Sequence, residues 1–568
     1  MARRPPELIY SVDEKPSNVP LFLLGLQHVF IISISLIFPV VIVKTIGGSD
    51  ADAMFMVSMG MLAAGLTTIL QSYGKHGIGS GYLCPSLCGP SYLSSAVMAA
   101  QTGGLHLLYG MIFLSGIAES LLSRVITKLR VLFPAEVTGV VVTFVGIAVL
   151  PIAFPRFIGY NAETGFINTT DLFIAIVTLA IMISLNLYTK GKIKLYCVLI
   201  GMIFGYLLSA MLGILNYSHI ERILDAPVLG FPDLSHFGLA FNITLLIPFL
   251  IAMICSTLKS IGDITTCQRA NDLDWRRPDM KNLSDGILTD GLADVISGLL
   301  GTFSQSTSSS NIGLSIGTGA TSRYIGYSIG IVLIILSCFP KLAMLFVIMP
   351  SPVMGAALLY TVCFMVMAGL QIIMSRMMDI RKTFVVGLSF LVGLSAMTPV
   401  FYSNVPEIIR PIFASTLSLA TITVILLNLI MRVGIKSSKV LEINPKENNT
   451  QKIFDFMKIQ GGIWGARPEI ITRAMSAINE AVEAVSFTNP DINRMDVKVT
   501  FDELNLDADI SYKGSPFEVQ TSRPSEKLIE EDENAIADLA SYMLNRYADK
   551  VSSQKKGDLS HIFIHFDH

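Results

Sequence analysis

Along the first three quarters of the chain, apolar residues come in long blocks separated by short polar breaks. A helix that crosses a bilayer needs about 20 predominantly apolar residues, because its backbone must satisfy its own hydrogen bonds in hydrocarbon. Blocks of that kind predict spans near 20–44, 53–72, 103–123, 131–154, 172–188, 195–216, 240–262, 324–345, 354–374, 383–402 and 412–432. Two stretches break the pattern: 77–98, which begins GIGSGYLCPSLCGPSYLSS, and 286–319, which ends FSQSTSSSNIGLSIGTG. Both are too rich in Gly, Ser or Pro for a lipid-facing helix. Such segments survive at membrane depth only where protein or a water-filled cavity satisfies their backbone, and a pair of them points to a transporter binding site. Counting each as a short span, and dividing 286–319 into two, gives 14 spans. They split as seven plus seven with an interrupted segment third in each half, and an odd-numbered repeat inverts its topology. The pattern therefore predicts an α-helical polytopic membrane protein of 14 transmembrane spans in two inverted 7-span repeats, with spans 3 and 10 interrupted.

After Arg432 the apolar blocks end. Segments such as MDVKVTF, ADISY and the terminal HIFIHFDH alternate as half-buried strands do, and long polar helices lie between them. The expected organisation is a cytoplasmic N-terminal segment (1–19), a transmembrane transporter domain with core and gate parts (20–435), a linker (436–445) and a soluble, cytoplasmic α+β domain (446–568). His561, His565 and His568 lie along the last strand and read as strand residues before they read as metal ligands. The region before Pro20 is polar, and the first apolar run is too long for a cleavable signal.

Charge distribution orients the chain. With the N-terminus inside, the cytoplasmic loops hold Arg124, Lys128 and Arg130; Lys190, Lys192 and Lys194; Arg269, Arg276, Arg277 and Lys281; and Arg376, Arg381 and Lys382. The opposite loops carry isolated residues such as Arg156, Arg222, Lys341 and Arg410. That bias follows the positive-inside rule and places both termini in the cytoplasm of an inner-membrane, multi-pass protein.

Composition agrees. Of 568 residues, 52% are hydrophobic and 15% charged, with mean hydropathy +0.60; soluble domains carry roughly 25% charged residues. A fully soluble enzyme, a disordered chain and a nucleic-acid binder relying on a basic surface are excluded, and a net charge of −2 implies no strong electrostatic partner. Seven cysteines make no secreted disulfide framework, and the Cys84-x-x-x-Cys88 spacing reads as small residues in a packed segment. No nucleophile–base constellation or phosphate loop appears, so no enzymatic activity and no cofactor is expected.

Ionisable residues inside spans are costly enough to be functional candidates. His28 follows Gln27 in the first span, Lys259 and Asp263 lie four positions apart at the end of the eighth, and Asp290 and Asp294 open the ninth. Residues at i and i+4 share one helix face, so Lys259 and Asp263 can pair. That pair either neutralises itself and locks the helix or faces the substrate and coupling proton. The run Ser304–Gly319 offers hydroxyls, Asn311 and three glycines, and free N–H groups at the start of a half-helix suit a ligand with acceptor oxygens or negative charge.

Five ordered motifs then carry a specific resemblance: GLQHVF at Gly25–Phe30, PAEVTG at Pro134–Gly139, KSIGDITT at Lys259–Thr266, DGLAD at Asp290–Asp294 and SNIGLSIGTGATSRYIG at Ser310–Gly326. Residues 15–435 resemble the nucleobase–ascorbate transporters of the xanthine/uracil permease type. The resemblance implies 14 spans, a core domain moving in elevator fashion against a gate domain that often forms a homodimer, and a strand leading into a half-helix in spans 3 and 10. A purine or pyrimidine nucleobase such as xanthine, urate or uracil would bind between them, facing span 8, with a proton as the usual coupling ion and sodium as the other candidate. Carried over by residue, the substrate site comprises Lys259, Asp263, Ser310, Asn311, Gly313, Ser86 and Leu87, and proton coupling falls to Asp263, Asp290 and His28. Three positions depart from the family pattern: Lys259 stands where a glutamate usually clamps the base, Ser310 where a Gln or Glu usually precedes Asn, and Leu87 where an aromatic in span 3 often stacks on the base. A carboxylate accepts ring N–H donors and an ammonium cannot, so the pocket is expected to prefer an anionic or acceptor-rich ligand. Two alternatives follow from the same residues: a small-anion carrier resembling the sulfate and bicarbonate carriers, and a ligand-binding transceptor that signals through its tail.

In the tail, AINEAVEAV at Ala477–Val485 and LDADISYKGSPFEV at Leu506–Val519 resemble a histidine-kinase-type ATPase domain of the anti-sigma-factor kind. There, a Glu is followed four residues later by a magnesium-holding Asn, and a later Asp reads adenine. Here Glu480 is followed by Ala484, and Tyr512 replaces the Asp. The resemblance implies a degenerate domain without ATPase activity that either meets a regulatory ligand or partner or is a structural appendage.

Overall fold

The computed structural model describes residues 3–126, 134–161, 164–189, 196–230, 238–275, 278–375, 378–402, 404–406, 409–431, 437–447, 449–502, 505–519 and 534–567. Lys128, Arg130, Lys190, Lys192, Lys194, Arg276, Arg277, Arg376 and His568 lie outside the described residues.

Helix α1 (Asn18–Ser33) passes through one 3-10 turn into α2 (Ile37–Thr45), and α3 (Asp50–Tyr73) follows a Ser49–Asp52 capping box. The first interrupted stretch supplies strand β1 (Ser86–Cys88) and then α4 (Leu93–Leu122). A break at Gly103–Gly104, where Gly104 has φ 72°, divides α4 into the half-helix after β1 and the span expected at 103–123. Next come α5 (Ala135–Ile147), α6 (Leu150–Ile158), α7 (Thr169–Tyr188), α8 (Cys197–Met211) and the short α9 (Tyr217–Asp225).

The later part of the membrane region begins with α10 (Leu246–Asn271) and α11 (Met280–Leu300). Both differ from the sequence expectation. Lys259 and Asp263 lie well inside α10, which runs nine residues past the expected end at 262. Asp290 and Asp294 sit in the middle of α11, because Asp279 caps it by accepting from the N–H groups of Lys281 and Asn282. The polar first turns of α11 hid that start. Strand β2 (Gln305–Thr307) and α12 (Ser309–Thr318) form the second interrupted segment. The span expected at 324–345 is instead two helices, α13 (Arg323–Ser337) and α14 (Pro340–Val347), bent by 85°. Pro340 opens α14, and with no N–H it cannot continue the α13 ladder. Helices α15 (Ser351–Met374), α16 (Ile380–Ser395), α17 (Arg410–Phe413) and α18 (Thr416–Met431) follow. Among the described residues seven helical segments are long and apolar enough to cross a membrane, eight if the bent pair is one span. The chain is a multi-pass membrane protein.

Contacts divide the chain into two units, one of Met1–Phe133, Val137–Leu370 and Ser389–Thr423, the other of Pro134–Glu136, Gln371–Leu388 and Val424–His568. In the first, the N-terminal segment acts as a strap. Ile9 and Tyr10 N–H groups donate to the Gly319 carbonyl at 2.7 and 3.1 Å, Thr321 N–H donates to Tyr10 at 2.9 Å, and Arg323 N–H to Val12 at 3.0 Å. Gly319 ends α12 with φ 67°, and a Cβ there would lie 2.8 Å from the Glu7 carbonyl oxygen, so only glycine admits the strap.

The second unit holds a five-stranded antiparallel sheet in the order β3-β4-β5-β7-β6, from β3 (Ser437–Ile443), β4 (Met495–Phe501), β5 (Asn505–Tyr512), β6 (Lys550–Lys556) and β7 (Leu559–Asp567). Its helices are α19 (Thr450–Trp464), α20 (Pro468–Thr488) and α21 (Asn534–Tyr547). Ala474, Ile478 and Val482 of α20 share a core with Val497, Ile510 and Ile564 of the sheet. Residues 436–445, expected as a linker, contain β3, which pairs with β4 from Ser437↔Phe501 to Ile443↔Met495. Only the inward Leu441 and Ile443 mark this edge strand, too few to stand out from its polar residues. His561 and His565 of β7 hydrogen-bond Asp509 and Asp507 of β5 at 2.9 and 2.6 Å.

Candidate functional site

The two interrupted segments meet. Strands β1 and β2 pair antiparallel, Ser86↔Thr307, Leu87↔Ser306 and Cys88↔Gln305. The Ser308 N–H donates to the Pro85 carbonyl at 2.8 Å and the Gly89 N–H to Ser304 at 2.9 Å, which lengthens the ladder at both ends. Each three-residue strand thereby satisfies backbone groups that hydrocarbon could not. From this ladder α12 departs, its N-cap Ser308 accepting from the Asn311 N–H. The N–H groups of Ser309 and Ser310 belong to the first helical turn and have no acceptor within the helix.

Helix α10 lays Lys259, Ser260 and Asp263 against β2. The Lys259 ammonium donates to the Thr307 carbonyl, lies 3.4 Å from Ser306 Oγ and 4.0 Å from Asp263 Oδ2. Thr307 Oγ1 donates to Asp263 Oδ2 at 2.7 Å and lies 3.0 Å from Ser260 Oγ, which in turn donates to Asp290 of α11. Gln71 of α3 donates to the other Asp290 oxygen at 3.0 Å and accepts from the Ser80 N–H at 2.9 Å. One buried polar chain thus joins an ammonium to two carboxylates through two hydroxyls. The Lys259 and Asp263 side chains are 13% and 10% exposed, so the pair is nearly desolvated without being sealed.

The expected site residues fall into four groups. Lys259, Asp263 and Asp290 converge on the chain just described. His28 and Asn311 form their own pair, with His28 Nδ1 2.8 Å from Asn311 Oδ1 and the Asn311 amide donating to Ser308 Oγ at 2.7 Å, which occupies the amide group on both sides. Ser310 and Gly313 are exposed on α12, and a Cβ added at Gly313 would meet no atom within 4 Å; the same is true of Gly262 on α10. On β1 the Ser86 hydroxyl is buried without a hydrogen-bond partner among the described residues, and Leu87 points to the other face, half-buried. Sequence reasoning missed Ser260, Thr307 and Gln71, which are uncharged and carry no signal apart from their place beside charged neighbours. It also missed Glu119 of α4, an acid inside an apolar run and therefore visible by the same rule that singled out Asp290.

A lysine is thus held at the start of a half-helix, where two broken segments pair. The family model described as the Permease family, of xanthine and uracil permease type, matches residues 20–400. The chain belongs to that family, the nucleobase–ascorbate transporters. This permease is a transporter rather than an enzyme. It is 28% identical over 439 residues to the xanthine permease XanP of Escherichia coli K12, covering 75% of this chain and 94% of that protein. With the xanthine permease of Bacillus subtilis strain 168 it shares 28% identity over 423 residues, covering 73% and 95%. Among solved structures, the transmembrane domain of the cyanobacterial bicarbonate transporter BicA aligns with TM-score 0.46 and 14% identity, covering 75% of this permease and all of that domain.

Proposed function

We propose that this permease is a secondary active transporter that moves a purine or pyrimidine nucleobase, such as xanthine, urate or uracil, across the inner membrane together with a proton. The carrying observation is Lys259. Its ammonium sits beside the N-terminal end of α12, where the helix dipole adds positive potential, so the site favours a ligand that brings acceptors or negative charge. A xanthine or urate anion would take donors from Lys259 and from the Ser309 and Ser310 N–H groups. Asp263 and Asp290, joined through Thr307 and Ser260, would carry the coupling proton, with His28 fixing Asn311. The named relatives support xanthine among the candidates.

The proposed architecture is 14 spans in two inverted repeats, with a core domain moving against a gate domain and both termini cytoplasmic. Its support is the matching order of two membrane helical segments and then a strand–helix unit: α1–α2, α3, β1–α4 and again α10, α11, β2–α12. For the tail we propose regulation. The buried Lys382 ammonium, in the first turn of α16, donates to the Gly465 carbonyl that ends α19, so the start of α16 is tied to the tail within one unit.

The test is uptake of labelled xanthine, urate and uracil into proteoliposomes with and without an inward proton gradient. Gradient-stimulated accumulation of one of them supports the reading. No uptake of any by folded protein refutes it and leaves a small-anion carrier or a binding-only sensor.

A further inference from the structure

Beyond the Lys259 chain, a second set of ionisable groups lies in the membrane core. Helices α4 and α11 approach to backbone contact: a Cβ on Gly116 would lie 2.5 Å from the Val295 nitrogen, and one on Gly291 2.6 Å from the Ser120 nitrogen. Small residues at such a crossing let two helices pack this closely. Glu119 and Asp294 flank this crossing, 1% and 0% exposed. Each carboxyl is satisfied on one oxygen alone. Glu119 Oε1 accepts from Thr257 Oγ1 at 2.7 Å, and Asp294 Oδ1 accepts from Ser304 Oγ at 2.7 Å and from the Gln305 N–H at 3.0 Å. Glu119 Oε2 and Asp294 Oδ2 are buried with no well-formed hydrogen bond among the described residues; the fully buried Tyr92 hydroxyl, which makes none elsewhere, stands close enough to Asp294 to interact with it, while nothing comparable faces Glu119 Oε2.

Among the described residues the ionisable groups facing this pair are Asp290 on α11, Tyr92 on the turn before α4, and Cys255 on α10 next to Tyr92, none of them a cation. Lys259 is engaged by Thr307 and Asp263. Two ionised carboxylates in such an interior, with one phenol hydroxyl beside them and no counter-ion, would carry uncompensated charge, whereas a neutral acid there costs far less. Among the described residues no three His, Cys, Asp or Glu side chains gather as a metal site.

We propose that Glu119 and Asp294 form a proton-binding site, distinct from the Lys259–Asp263–Asp290 chain, that holds a proton at neutral pH and exchanges it with water during the transport cycle. Binding makes one O–H bond on a bare carboxylate oxygen; the proton is taken from water and returned to it, and no other bond changes. The site touches the substrate region at two points. Thr257 lies two residues before Lys259 on α10, and Gln305, held by Asp294, stands in β2. A proton leaving Asp294 would therefore be felt by the strand from which Lys259 takes its partner.

The exchange step rests on the transport reading, but proton occupancy does not, so the test begins without substrate. Infrared spectra of the full-length protein in liposomes, in H2O and D2O, are compared with those of Glu119→Gln and Asp294→Asn, neutral replacements of nearly the same shape as the protonated acids. At neutral pH the wild type should show a protonated carboxylic-acid carbonyl band that shifts in D2O, and at least one variant should lose it. Because the two variants are independent, a folding failure of one, seen by gel filtration, leaves the other as the test. A band unchanged in both variants overturns the proposal. So does a band that never shifts in D2O, which would mark a sealed structural acid, or one that sodium abolishes at constant pH, which would mark a cation site. Where wild-type uptake exists, Glu119→Gln should shift its pH profile while ligand affinity at saturating proton concentration stays within threefold; an unchanged profile refutes the exchange step.

Discussion

Replacing Lys259 by Gln removes a charge while keeping a hydrogen-bond donor, and so separates what the ammonium contributes from what a neutral amide can. A hydrogen bond to a charged partner is worth about 1.5–3 kcal/mol, and a neutral one about 0.5–1.5 kcal/mol. At about 1.4 kcal/mol per factor of ten, exchanging the charged contact for a neutral one costs an anionic ligand up to about 2.5 kcal/mol, roughly 60-fold in affinity. Loss for a neutral ligand, which the amide still serves, stays below about tenfold. The nearly desolvated position of Lys259 places the anionic case toward the upper part of its range. The substitution also leaves Asp263, 4.0 Å away, without its cation, though still bonded by Thr307. A stability loss approaching about 3 kcal/mol follows, the lower end of what breaking a buried pair costs. Lys259→Gln combined with Asp263→Asn should recover thermal stability but not anion affinity, which separates the two effects in one cycle. The assay is equilibrium binding of labelled urate, xanthine and uracil to purified protein at pH values on both sides of ligand ionisation. An equal loss for all three ligands, or no loss for urate, refutes the argument that the charge of Lys259 sets ligand preference.

Gly116→Val would force a side chain against the Val295 nitrogen and the Gly291 carbonyl oxygen, both backbone atoms, so destabilisation at the upper end of the usual overpacking range, about 3 kcal/mol, is expected; an unchanged melting profile by gel filtration would contradict this packing. In the tail, Ala484 is buried and Tyr512 is packed into the core with its hydroxyl donating to the Ser515 carbonyl at 3.1 Å. Calorimetric titration of a fragment starting before Ser437, so that β3 is intact, with magnesium and ATP should show no saturable heat, and saturable binding would refute the degenerate reading. Burial opposes charge on His565, yet the Asp507 and Asp567 carboxylates outweigh it and raise its pKa above the ordinary value. Its stabilising contribution is therefore complete below about pH 6.5 and lost as pH rises through the higher folded value. With the ring 35% exposed this is worth less than about 1 kcal/mol, and His565→Asn should flatten that part of the unfolding-versus-pH curve.

The membrane helices were legible because a span must be apolar for about 20 residues, and the interrupted segments because Gly, Ser and Pro at that depth contradict a lipid-facing helix. Lys259, Asp263 and Asp290 were legible for the related reason that a charge in a span is costly. What joins them was not. The strands β1 and β2 are three residues each, too short for any alternation to register, so the pairing that brings Thr307 to Lys259 left no trace in the pattern. Ser260 and Gln71 are ordinary polar residues until the fold places Asp290 between them. Helix boundaries shifted where polar turns are buried by packing, as at Met280, and a two-residue apolar signal concealed β3.

The strap of residues 9–12 has a consequence for the order of synthesis. Tyr10 and Thr321 are 311 residues apart, and at about 5–20 residues per second a ribosome needs roughly 15–60 s to pass from one to the other. The first residues made are therefore among the later ones to dock. Until Gly319 and Thr321 have emerged, α1 has to sit in the bilayer with its leading segment unattached, and β1 likewise waits for β2. Completion of the β1–β2 ladder is in this way tied to translation of the second half of the membrane domain, so a truncated product ending before residue 305 would hold most of its apolar helices and none of its ladder.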